Sequence, residues 1–252
     1  MVLGRDGRYS LQYMPIEHSS TTAKLVIVGI TPGTTQVGIA YGTVQQLLRS
    51  ALGVRQLTED EILSEVKRRA GFGGRMRPNL LRMLRHFKIG RLIGVPDEAE
   101  LWEGRSDALH STSIVPHAAF TTKKSADKMF SGSFDNILRS ALLRECFERD
   151  FLPSLRTLPP DARFIALGPT PLDALDWCVN QRCIDSSRIL GAFPHPSGSA
   201  GSQVDVYLGV KDAAGLEPKD PVRNRVVWLL QAAARMQAAT SGSAPPSAVV
   251  CL

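Results

Sequence analysis

The chain predicts an α/β domain: a three-layer α/β/α sandwich around a central, mostly parallel four-stranded sheet. Three observations carry this. Short continuous apolar runs recur along the sequence, as expected of strands covered on both faces. Stretches with helical apolar spacing lie between them, and such alternation argues a parallel sheet with helices packed on it. At 252 residues, 43% of them hydrophobic, the chain can bury a full core within one domain.

The elements follow in order. Leu25 to Val28 is the first apolar run. A helix is expected from Thr43, with Val44, Leu47, Leu48, Ala51 and Leu52 on one stripe. Thr58-Glu59-Asp60-Glu61 has the form of a capping box and starts a helix reaching Arg69. Gly71-Phe72-Gly73-Gly74 is a break. A third helix begins near Pro78, with Leu80, Leu84 and Phe87 inward and Arg82 and Arg85 outward. A second strand falls within residues 108–115, ending before Pro116. Ser133 caps a helix carrying Ile137, Ala141, Leu142 and Phe147. Residues 163–168 read as the third strand, and Thr170-Pro171 as cap and first-turn proline of the next helix. The last strand lies near residues 188–193, and a closing helix near 222–236. The organisation expected is one domain over residues 1–239 and a disordered Ser/Pro/Ala-rich tail over 240–252.

Composition excludes several classes. No apolar run approaches the roughly 20 residues that span a bilayer. The amino terminus lacks the apolar core of a secretory signal, so a cytoplasmic protein is expected, nucleoid-associated in a bacterium. The four cysteines, Cys146, Cys178, Cys183 and Cys251, form no CxxC pair. Neither a disulfide framework nor a metal or iron–sulfur site is expected, and no cofactor. The net charge of +6 is modest but unevenly distributed. Nine basic residues lie between Lys67 and Arg91: Lys67, Arg68, Arg69, Arg75, Arg77, Arg82, Arg85, Lys88 and Arg91. That window holds no Asp or Glu, and the rest of the chain carries 21 basic against 24 acidic residues. Such a segment suits a polyanion such as nucleic acid. It equally suits a solvated helix face.

Two loops stand out. Gly29-Ile30-Thr31-Pro32-Gly33 follows the first strand, and Phe193-Pro194-His195-Pro196-Ser197-Gly198 follows the last. Ligands of open parallel sheets bind outside the carboxyl ends of the strands, so the two loops can converge on one crevice. The first loop is neither a P-loop nor GxGxxG. In the second, His195 is held between two prolines, and Pro196 biases it towards an extended backbone. The Ser197-Gly198-Ser199-Ala200-Gly201-Ser202 strip that follows is small and polar, suited to phosphates or simply to a mobile surface loop.

With these residues the chain resembles the uracil-DNA glycosylase superfamily. Gly29 to Gly33 is similar to that family's first motif in its mismatch-specific and single-strand-selective branches. His195-Pro196-Ser197-Gly198 is similar to its second motif, and residues 164–172 to its third strand and following helix start. Gly73-Gly74-Arg75-Met76-Arg77-Pro78-Asn79-Leu80-Leu81 faintly resembles a glycine-arginine segment of the iron–sulfur branch, whose cysteines are absent here. The resemblance spans residues 24 to 236.

It implies a DNA glycosylase that hydrolyses the N-glycosidic bond of uracil in DNA, a monomer acting on single-stranded or mismatched substrates. It assigns His195 as donor to the uracil oxygen, Thr31 as the water-positioning residue, and Ile30, Tyr41 and Ser113 to the substrate. Tyr41 would stack on the base. Pro32, Gly33, Pro196, Ser197, Gly198 and Ser199 would meet the DNA, with Arg75 and Arg77 as phosphate contacts. Three departures matter. Thr31 stands where the related branches carry Asp or Asn, so it orients a water without acting as a base. Ser113 stands where an asparagine reads the base, and one hydroxyl discriminates less than an amide. Ser199 stands where a large apolar wedge supports the flipped nucleotide. Two alternatives remain: a nucleic-acid-binding module of the same fold with little catalysis, and a nucleotide- or sugar-phosphate-binding α/β protein.

Overall fold

A computed structural model of the chain describes residues 1–50, 57–72, 76–104, 106–122, 127–197 and 202–242. Its strands are β1 (Val2–Arg5), β2 (Tyr9–Gln12), β3 (Leu25–Gly29), β4 (Leu109–Ser113), β5 (Ala118–Thr121), β6 (Lys128–Met129), β7 (Arg163–Leu167) and β8 (Ile189–Phe193). Its helices are α1 (Thr34–Ser50), α2 (Glu59–Ala70), α3 (Met76–His86), α4 (Ile89–Ile93), α5 (Phe134–Arg139), α6 (Ala141–Cys146), α7 (Leu152–Thr157), α8 (Pro169–Asn180), α9 (Gln203–Tyr207) and α10 (Val226–Thr240).

The four expected strands form one parallel sheet in the order β4-β3-β7-β8. Because side chains alternate along a strand, each strand feeds both faces. Val26, Val28, Phe164 and Ala166 enter one core with Phe147 and Phe151. Leu25, Ile27, Ile165 and Leu167 enter another with Leu80, Leu84 and Leu229. In the first core Phe147 is fully buried and meets Phe134, Phe151 and Trp177 at ring separations of 5.3, 5.5 and 5.6 Å. Truncating such a residue to alanine costs about 3–5 kcal/mol.

A second sheet, antiparallel and ordered β1-β2-β5-β6, has no counterpart in the sequence reading. Its strands run two to four residues, and β2 pairs Tyr9 with Thr121 across most of the first half of the chain. No local pattern signals a partner that far away.

Several helix boundaries move. The first helix begins at Thr34, nine residues before Thr43, with the Gly33 amide donating to the Gln36 side chain at 2.9 Å. Ala40 and Thr43 are its buried residues, whereas Leu48, assigned to the inner stripe, is 53% exposed. Ala51 and Leu52 lie outside the described residues. The capping box forms as expected: Thr58 accepts from the Glu61 amide and Glu61 from the Thr58 amide. Ser133 caps α5, but the helix then breaks at Ser140, which caps α6 through the Leu143 amide. That break rotates the register, so Leu143 and Cys146 turn inward while Ala141 is exposed. The cap of α8 is Gly168 with Pro169 first in the helix, while the Thr170 hydroxyl donates instead to the Gly132 carbonyl. The closing helix starts at Val226, after a 3-10 turn over Arg223–Arg225, and runs to Thr240. Residues 243–252 lie outside the described residues. Among the described residues no helix is long and apolar enough to cross a membrane.

Candidate functional site

Parallel strands deliver all their carboxyl ends to one edge of the sheet. There β3 opens into residues 30–33 and β8 into residues 194–197, with the end of β7 between them. Two strand spacings, about 10 Å, separate the loops. The chain leaves β3 towards β4 on one side and later returns to β7 on the other, so this edge holds the topological switch point where open α/β sheets bind ligands. Gly168 follows the end of β7 at this edge; its φ of +97° is open to glycine at little cost, and a Cβ there would meet nothing within 4 Å.

The first loop is stitched to the segment leaving β4. The Ile114 amide donates to the Gly29 carbonyl and the Val115 amide to that of Ile30, both at 2.9 Å. Thr31 continues the seam: its hydroxyl donates to the His117 carbonyl at 2.8 Å and accepts from the Ala119 amide at 2.9 Å. A hydroxyl has one proton, and this one is committed. Thr31 therefore has only lone-pair capacity left for a water, and it joins the parallel sheet to β5 of the antiparallel one.

The second loop is fixed from three sides. Asn79 of α3 donates to the Pro196 carbonyl at 2.9 Å, and Gln203 of α9 donates to the His195 carbonyl at 2.6 Å. The Ser197 amide donates to His195 Nδ1 at 3.3 Å. A nitrogen that accepts is unprotonated, so the neutral ring carries its proton on Nε2. The ring remains exposed on one side, yet the protein packed about it lowers its pKa from the ordinary 6.5 through desolvation. Near neutral pH it is an uncharged donor.

Ser113 and Pro32 meet in a cavity of about 20 Å³ that also takes in Gln36, Lys67 and Phe72. That is room for about one water. The ring lining this cavity is Phe72, not Tyr41. Tyr41 donates its hydroxyl to the Tyr13 carbonyl at 3.0 Å, and no hydrogen bond joins it to His195 or Ser113. Phe72 escaped the sequence reading because it lies in a glycine-rich break, where its φ of +50° turns it back into the core.

A polar cluster went unread beside this site. Lys67 is buried on α2, where Nζ donates to the Ile16 and His18 carbonyls and lies 3.4 Å from both ring nitrogens of His110. His117 accepts from the Met14 amide at Nδ1, and its Nε2 is 3.7 Å from Asp150. A pocket of about 240 Å³ is bordered by Lys67, His110, His117 and Asp150. Burial pushes Lys67 down from 10.5 to about 7. Burial, then the Lys67 and His18 charges, hold His110 well below 6.5.

Both shifts make the unfolded chain bind more protons than the folded one. For His110 this holds as pH falls below 6.5; for Lys67 it holds between about 7 and 10.5. Stability should therefore rise with pH in each window, by up to about 1.4 kcal/mol per pH unit per group. Lys67→Met should flatten the upper window. Urea unfolding at pH 7, 8 and 9 checks this, and a parent protein equally stable at all three would refute it.

The basic segment does not form one uncompensated surface. Arg68 and Arg69 are held by Glu65, Arg82 by Asp205 and Arg85 by Asp97, each at 2.6 to 2.8 Å. The absence of acids in that window is made good by acids from before and after it. Arg77 differs. Its guanidinium lies 5.5 Å over the Trp102 ring, and its buried Nε has no hydrogen-bond partner among the described residues. Arg69, Arg77, Arg82 and Arg85 line an open groove of about 500 Å³ between α1, α2 and α3. Arg75, Gly198 and Ser199 lie outside the described residues. Among those described, no cluster of three or more His, Cys, Asp or Glu is arranged to hold a metal ion.

No family model matches the chain. Uncharacterized protein YoxB of Bacillus subtilis (strain 168) is 29% identical over 211 residues, covering 83% of this chain and 79% of that protein. The crystal structure of WT Pedobacter heparinus SMUG2 covers 83% of this chain and 90% of its own, at 12% identity and a TM-score of 0.43. Neither likeness assigns an activity, and the functional reading rests on the site.

Proposed function

We propose that the chain is a monomeric DNA glycosylase of the uracil-DNA glycosylase type, a single domain over residues 1–239 built as a three-layer α/β/α sandwich. It hydrolyses the N-glycosidic bond of uracil in DNA and leaves an abasic site. The observation that carries this reading is His195, a neutral imidazole with Nδ1 occupied by the Ser197 amide and Nε2 as donor, at the carboxyl edge of the sheet. Cleavage of the glycosidic bond leaves negative charge on the departing base, and a preorganised donor at its oxygen is the largest single help to such a reaction. Ser113 and Pro32 would contact the flipped base, with Phe72 beside them in the role first expected of Tyr41. Extruding a base costs a few kcal/mol and is cheapest in single strands and mismatches, the substrates favoured here. Thr31 would hold the attacking water through a lone pair.

The second reading, a nucleic-acid-binding protein with weak catalysis, is favoured by the engagement of the Thr31 hydroxyl with backbone on both sides. One experiment separates the two. Single- and double-stranded oligonucleotides carrying uracil are incubated with the protein, and abasic sites are revealed by alkaline scission. Strand breaks at uracil support the first reading. Salt-sensitive binding without breaks supports the second.

Both readings share a prediction about charge. Each phosphate contact adds about 0.9 to the salt slope on duplex DNA and about 0.7 on single strands. Arg77→Ala should flatten the slope by about one such contact, whereas Arg82→Ala, already paired with Asp205, should leave it nearly unchanged. Binding isotherms at several salt concentrations decide. Equal slopes for the parent and Arg77→Ala would remove Arg77 from the interface.

A further inference from the structure

Lys67 is 9% exposed and faces no carboxylate within ion-pair distance among the described residues; its partners are two carbonyls and the His110 ring. Buried cations are ordinarily paired. Lys67 borders a cavity of about 100 Å³, several times the roughly 10–15 Å³ that one water needs. Helical spacing puts Ser64, Lys67 and Arg68 on one face of α2, all lining this cavity. Ser106 and Ser111 line it from the other walls. The hydroxyls of Ser64, Ser106 and Ser111 have no hydrogen-bond partner among the described residues. Carboxylates lie near at longer range: the Glu17 charge favours the Lys67 ammonium, and Asp107 borders the cavity and accepts from the Thr22 hydroxyl at 3.2 Å, while Glu65 is taken up by Arg68 and Asp60 by His18.

A buried ammonium with no carboxylate in ion-pair contact among the described residues, beside a cavity lined by three hydroxyls without a hydrogen-bond partner there, has the make-up of an anion site. We propose that this cavity binds a small tetrahedral oxyanion of the phosphate type, with Lys67 as its charge partner and Ser64, Ser106 and Ser111 as its hydrogen-bond donors. An oxyanion accepts from several donors at once, which uses the hydroxyls together, and charge-assisted bonds of this kind are about twice as strong as neutral ones. The phosphate can come free in solution or as the terminal phosphate of a nucleic acid chain. The proposal does not depend on the glycosylase reading, since it concerns neither His195 nor the loops at the sheet edge.

Titration calorimetry on the full chain tests it, with inorganic phosphate as probe at pH 6.5 and chloride at matched ionic strength as control. A 5′-phosphorylated dinucleotide is compared with its 5′-hydroxyl counterpart in a second arm. Saturable one-to-one binding of inorganic phosphate, weakened at least tenfold by Lys67→Met and several-fold by Ser64→Ala with Ser111→Ala, is expected for the free ion. Binding of the phosphorylated dinucleotide alone, with the same sensitivity to both variants, supports the site with a chain terminus as the source. If Lys67→Met fails to fold by circular dichroism, the double serine variant decides. Heats no greater than those of chloride in both arms overturn the proposal, as does binding unchanged in the variants that fold.

Discussion

His195→Ala is expected to lower the release of uracil from DNA by about two to three orders of magnitude, the usual loss when one donor to a developing anion is removed. Binding of DNA should change little, because two of the three bonds that fix the loop survive the substitution: Asn79 holds the Pro196 carbonyl and Gln203 the His195 carbonyl, and only the Ser197 amide loses its partner on the ring. The loss should therefore appear in single-turnover rates rather than in affinity. The lowered pKa sets the pH profile. On the proposed reading the neutral ring is the working donor, and desolvation keeps it neutral at pH 7, so activity should hold through neutrality and depart from its plateau only on acidification below the ordinary histidine range. A variant within a few-fold of the parent, measured on single-stranded uracil substrate, would take His195 out of the reaction.

Thr31→Val is expected to be costly for a different reason. The substitution keeps the shape and removes the hydroxyl that serves the His117 carbonyl and the Ala119 amide. Ala119 is fully buried and His117 nearly so, and water does not readily replace the lost partner. Each orphaned backbone group costs about 1–3 kcal/mol, a large share of the 5–15 kcal/mol that stabilise a typical domain. The urea midpoint should fall without a change in m-value, and Thr31→Ser should recover most of the loss. The chemical step should slow as well, since the seam carries Ile30 and Pro32 with it. A Thr31→Val protein as stable as the parent would show that the seam is held by the Ile114 and Val115 bonds alone. A stable variant that is nonetheless slow would point to the water-positioning role by itself.

The parallel sheet was legible because its signal is local. Leu25 to Val28 and Phe164 to Leu167 are short continuous apolar runs rich in β-branched and aromatic residues, the form that a strand buried on both faces takes. The capping box at Thr58 and Glu61 was legible for the same reason, being a contact between residues three apart. The pairing of the Gly29 and His195 loops also follows from local signals, since parallel strands place every carboxyl end on one edge.

What the sequence could not carry are contacts across long separations. Lys67 reads as one more charge on a basic helix, and only the packing of α2 against β4 and the segment 16–20 buries it beside His110. The arginines of the basic segment look uncompensated until Asp97 and Asp205 are folded against α3. Thr31 reads as a free hydroxyl in a tight loop, and only the antiparallel sheet supplies its two backbone partners. The sequence by itself determined which residues reach the carboxyl edge of the sheet, because hydrophobic periodicity and strand polarity are properties of short segments. The tertiary structure alone decided which of those side chains remain available for chemistry, because availability depends on partners that the chain brings from a hundred residues away.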